Sequence, residues 1–94
     1  MNGENSVNPE LSPQSRVENA EFNGFVRRIL RAYGRRVGQA DPTALRDLVA
    51  ARAALDAAMD EAVQGLRAAG FSWTEIGREL NVTKQAAAQR WGRR

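Results

Sequence analysis

Two short runs near the C-terminal end leave the backbone few choices. Ser72 is followed three residues on by Glu75. In this S-x-x-E pattern each side chain satisfies the other residue's backbone N–H at a helix start. Further along stands Asn81-Val82-Thr83. Asparagine tolerates a left-handed backbone, and threonine caps a following helix. Together they divide Phe71–Arg94 into a helix from about Trp73 to Leu80, a tight turn, and a second helix from Lys84 to about Trp91. Ile76, Leu80, Val82, Ala87 and Trp91 are the core expected between them. Gly77 falls in mid-helix, where glycine costs roughly 1 kcal/mol against alanine. Close approach of the next helix explains that cost, and a chance glycine in an Ala/Gly-rich chain is the alternative.

Upstream, helical periodicity predicts an all-α chain. Residues 1–14 are polar, with two prolines and three asparagines, and read as a disordered tail. From Ser15 to about Val37, the residues Phe22, Phe25, Val26, Ile29, Leu30, Tyr33 and Val37 recur on one side of a helix. Arg27, Arg31 and Arg35 line up on the other side. That ridge reads either as phosphate contacts or as a solvated face paired with an acidic neighbour. Gly38-Gln39-Ala40 is the expected connection. Asp41 then caps and Pro42 opens a long helix that stops at Gly70. Its stripe runs Leu45, Leu48, Val49, Leu55, Met59, Val63, Leu66, with Phe71 and Trp73 expected to pack beneath Leu66 and Val63.

The short connection predicts an antiparallel helical hairpin over residues 15–69 that leads into a head over residues 63–94, the two sharing the end of the long helix. The hairpin's stripes are wide enough for a second apolar surface, whose simplest use is a two-fold dimer. A monomer that spends both stripes on itself is the alternative.

Composition removes whole classes of chemistry. The chain has no cysteine and no histidine. Disulfides, the common metal sites and most nucleophilic or general-base arrangements lose their usual residues. No cofactor motif, catalytic constellation or small-molecule site is visible, so neither an enzyme nor a metal protein is expected. No run approaches the length of a membrane helix and no leader pattern is seen, so a cytoplasmic protein is expected. Charge is banded: residues 14–37 carry six arginines against two glutamates, residues 41–70 three arginines against five acids, and residues 71–94 five basic residues against two acids. A basic terminal band suits a polyanion.

The run Ile76-Gly77-x-x-Leu80-Asn81-Val82-Thr83, followed by Ala87 and Arg90-Trp91, resembles the helix-turn-helix of sigma-factor region 4. It resembles still more the small helix-turn-helix DNA-binding proteins of actinobacteria and their phages. The likeness covers Leu66 to Gly92 and implies a protein of transcription-regulator type whose partner is double-stranded DNA. Two departures stand out. Asn81 replaces the usual turn glycine, and three alanines in the second helix leave few long side chains to read bases.

A wheel at ~100° per residue, with Ala87 and Trp91 turned inward, puts Gln85 and Gln89 outward together. Glutamine bonds adenine through N6 and N7, which makes this pair the candidate base contacts. Ala88 beside them is a candidate for a thymine methyl. Lys84, Arg90 and Thr83 are candidate phosphate contacts around that face, with Arg78 on the preceding helix and Arg93 and Arg94 at the basic end. The competing expectation is a helical protein-interaction module, such as a phage adaptor, an antitoxin-like partner or an RNA-polymerase-binding factor. There the hairpin would be the working surface and the glutamines merely exposed polar residues.

Overall fold

The structure is a computed structural model that describes residues 13–92. The expected tail over residues 1–14 therefore lies almost wholly outside the described residues, as do Arg93 and Arg94. The fold is all-α, and no strand occurs among the described residues. The described residues form four helices in order, α1 (Pro13–Ala40), α2 (Leu45–Ala68), α3 (Trp73–Leu80) and α4 (Lys84–Trp91), with a 3-10 turn, Pro42–Ala44, before α2. No described helix is long and apolar enough to cross a membrane. The described residues form two compact units, 13–54 and 55–92, divided within α2.

In the first unit α1 is longer than its sequence signals suggest. It begins at Pro13, ahead of the expected start at Ser15. It also runs through Gly38-Gln39-Ala40, the expected connection. Three glycines in the helix raise its cost, but nothing in the local sequence forbids the backbone bonds. The chain leaves the helix at Asp41 (φ −127°), the residue before Pro42, because the proline ring disfavours helical geometry in its predecessor. Asp41 does cap, but it caps the 3-10 turn Pro42–Ala44 and not the long helix, which starts at Leu45: its side chain accepts from the Ala44 N–H at 3.2 Å, with Pro42 in the first turn.

Among the described residues of this unit the expected hairpin faces are not closed over. Phe22 is 68% exposed, Phe25 55%, Ile29 52%, and Leu45 and Val49 56% each. Val37, close to the turn, is the one buried hydrophobic side chain of the described residues in this unit. The apolar stripe predicted on α1 is therefore present as a face that the described residues leave exposed. The periodicity records that something must bury it, and not what does so.

The second unit has the core. Val63 of α2, Ile76 of α3, and Ala87 and Trp91 of α4 are buried together, with Met59, Phe71, Trp73 and Leu80 packed around them. Val82 is a correction to the expected core: it is 43% exposed. Leu66 stays 41% exposed, and Phe71 and Trp73 pack against the cluster that contains Val63.

The ends of α2 and α3 use the same device. At the end of α2, Gly70 takes φ 103°, its N–H donates to the Arg67 carbonyl, and the Phe71 N–H reaches back to the Leu66 carbonyl at 3.0 Å. At the end of α3, Asn81 takes φ 58° and ψ 41°, its N–H donates to the Arg78 carbonyl, and the Val82 N–H donates to the Gly77 carbonyl at 2.8 Å. This paired pattern satisfies two carbonyls that a helix end leaves bare, at the cost of one left-handed residue. Asparagine fills that place in the second instance.

Candidate nucleic-acid interface

The geometry starts at the cap of α3. The Ser72 hydroxyl accepts from the Glu75 N–H at 3.1 Å, and Glu75 Oε1 accepts from the Ser72 N–H at 2.8 Å. Glu75 consequently titrates below its ordinary value. The bond from the Ser72 backbone lowers it most, the Ser72 side chain adds to this, and the positive charge of Arg78 adds less. The cap sets the direction in which α3 leaves Phe71.

Gly77 then allows α3 to meet the turn. A Cβ placed there would lie 2.8 Å from the Val82 carbonyl oxygen and 3.1 Å from that of Thr83. These are backbone atoms, which cannot swing aside. Glycine is thus required by contact with the turn, the reading that its mid-helix position suggested. The Thr83 side chain accepts from the Ala86 N–H at 3.0 Å and starts α4.

Two bonds lock α4 to the end of α2. The Trp91 Nε1–H donates to Asp60 Oδ1 at 2.9 Å, and the Gln64 side-chain amide donates to the Trp91 carbonyl at 3.0 Å. Sequence reasoning missed both residues. Asp60 enters there only as one of the five acids of residues 41–70, and Gln64 carries no pattern at all. The available signal was the rule that a buried indole N–H finds an acceptor.

With Ala87 and Trp91 held inward, Gln85 and Gln89 stand exposed on the opposite side of α4. Lys84, Thr83 and Arg90 are exposed as well. The Arg90 guanidinium does not project freely, because it lies 4.9 Å from the centroid of the Trp91 ring. Ala88 is half-buried, whereas Ala86, which the sequence reading passed over, is exposed. Of the two alanines beside the glutamines, Ala86 offers the more open methyl.

Arg78, on α3, is exposed. It sits at the rim of an apolar groove between α2 and α3, near Glu75. The groove, about 340 Å³, is walled by Met59, Val63, Leu66, Phe71, Ile76 and Leu80. Its walls come from segments that folding alone brings together, so no sequence run announced it. The structure thus gathers Thr83, Lys84, Gln85, Gln89 and Arg90 on one helix, leaves Arg78 on the groove rim, and does not describe Arg93 and Arg94. Comparison with protein families, curated proteins and solved structures finds no match to the chain.

Proposed function

We propose that this chain is a sequence-dependent DNA-binding protein of transcription-regulator type, and that α3, the Asn81–Thr83 turn and α4 act as a helix-turn-helix. The observation that carries this reading is the division of α4 into two sides. Ala87 and Trp91 anchor one side in the core, while Gln85 and Gln89 stand exposed on the other. A short helix held rigidly by one side and open on the other has the form required for entry into a major groove. Gln85 and Gln89 read bases, with Ala88 and the more open Ala86 as apolar neighbours. Lys84 and Thr83 meet phosphates at the start of the helix. Arg90 joins them by leaving its indole ring, and Arg78, Arg93 and Arg94 supply outlying positive charge.

The alanine content of α4 limits base readout, so specificity is modest and phosphate contacts supply most of the affinity. The test is fluorescence anisotropy on labelled duplexes across a salt series. Affinity that falls steeply with salt supports the reading. No association with any duplex at low salt ends it.

A second reading has its own support. The exposed stripe of α1 and the apolar groove beside α3 are surfaces that a protein partner would cover. Under that reading the chain is an interaction module, and replacing Gln85 and Gln89 together leaves its function intact. With either reading we take the chain to be a homodimer through the helices of residues 15–69.

A further inference from the structure

We infer that two copies of the chain associate through α1 in an antiparallel sense, about a two-fold axis that passes close to Val26. The inference rests on the homodimer reading above and is independent of DNA binding. It begins from the exposed apolar stretch of α1. Phe22, Phe25, Val26, Ile29 and Leu30 are each at least 41% exposed. Residues 22 and 30 bound the stretch, and Val26 is its midpoint. A face of this kind is costly in water at roughly 25 cal/mol per Å² of apolar surface.

Charge selects the occupant and its direction. Acidic Glu18 and Glu21 precede the stretch, and Arg31, Arg35 and Arg36 follow it. A parallel pair would set the arginine-rich halves against each other. An antiparallel pair sets each acidic half against a basic one. The helical register makes the match specific: Glu18 and Arg36 are both exposed, and their separation of about five turns at 3.6 residues per turn returns them to the same angular position.

They therefore share one edge of the apolar stripe. In an antiparallel pair like edges meet. A two-fold axis near Val26 then brings Glu18 to within about 3 Å, measured along the helix axis, of the partner's Arg36, and does so twice. The same axis sets Val26 against the partner's Val26 and Phe22 against the partner's Leu30. One register thus aligns both the apolar stretch and the charges that flank it.

The chain has no cysteine of its own, so single introduced cysteines report the geometry cleanly. A disulfide needs Cα atoms about 4.4–6.8 Å apart. The full chain carrying Val26→Cys is expected to oxidise to a covalent dimer. Phe22→Cys is expected to resist, since the two copies of that position would lie about 12 Å apart along the axis. A mixture of Phe22→Cys and Leu30→Cys chains should cross-link again.

Efficient cross-linking of Phe22→Cys alone would mean a parallel pair and would overturn the inference. A chain that sediments as a dimer but does not cross-link at Val26→Cys would overturn the register while sparing the homodimer. A chain that sediments only as a monomer would remove both. If Val26→Cys loses helicity by circular dichroism, charge reversal decides the matter. Glu18→Arg should weaken association about tenfold, and adding Arg36→Glu should restore it. Equal weakening by the single and the double variant would overturn the pairing.

Discussion

The indole N–H of Trp91 donates to a carboxylate oxygen of Asp60 at 2.9 Å, across 31 positions of chain. This bond joins the last turn of α4 to α2, and so sets how α4 is presented. Asp60→Ala leaves the indole N–H without this acceptor. A loss of about 1–3 kcal/mol in urea unfolding is expected. An unchanged midpoint would show that the bond does not hold α4.

Gly77 and Gly65 should respond oppositely to alanine. Both are helical, so alanine improves propensity by roughly 1 kcal/mol at each. At Gly65 nothing lies within 4 Å of an added Cβ, and Gly65→Ala should raise the unfolding midpoint. At Gly77 the Cβ would stand 2.8 Å from a backbone oxygen. Gly77→Ala should therefore lower stability by about 1–3 kcal/mol in spite of better propensity. Similar gains at both sites would refute the close approach of α3 to its turn.

Asn81 supplies the left-handed residue at the end of α3 (φ 58°). Asn81→Gly should be neutral or slightly stabilising, whereas Asn81→Val should cost at least about 1–2 kcal/mol. Thermal unfolding of the two variants distinguishes a strained backbone from an interaction of the side chain itself. In the latter case both variants would lose stability alike.

The Ser72–Glu75 cap predicts a dependence on pH. The folded carboxyl titrates below its ordinary value, chiefly through the bond from the Ser72 backbone N–H. Its contribution is therefore complete above the unfolded pKa and disappears as pH falls through the folded pKa. Glu75→Gln should be less stable than the parent at neutral pH, with the difference closing on acidification. Ser72→Ala should cost about 1 kcal/mol at neutral pH. A gap between parent and Glu75→Gln that persists at low pH would refute the linkage.

On duplex DNA the substitutions should separate two kinds of contact. Gln85→Ala should flatten the preference among sequences and spare non-specific affinity. Lys84→Ala should weaken all duplexes alike and reduce the salt slope by about one. Competition titrations with random and enriched duplexes give both quantities. Loss of all binding with Gln85→Ala would assign that residue to the backbone instead.

Much of the second unit was legible because its signals are local. The limits of α3 and α4, both caps and the left-handed Asn81 follow from bonds that span three to five residues, so a short run contains everything needed to specify them. The same reasoning placed Gln85 and Gln89 outward, since a helix fixes relative direction once Ala87 and Trp91 are known to face in. It failed at Val82, where an apolar residue in a turn proved half-open, and at Ala88, where the wheel could not separate it from Ala86.

Sequence alone determined where α3 and α4 begin and turn, because capping and backbone preference act over a few neighbouring residues. It also determined that α1 has an apolar side, because periodicity is a property of one helix. Tertiary structure alone decided that Asp60 and Gln64 clamp Trp91 and that residues 59–80 form a groove. It also decided that the α1 stripe stays exposed among the described residues. Those facts depend on which surfaces meet, and residues far apart in the chain meet only when the packing of the whole makes their contact favourable.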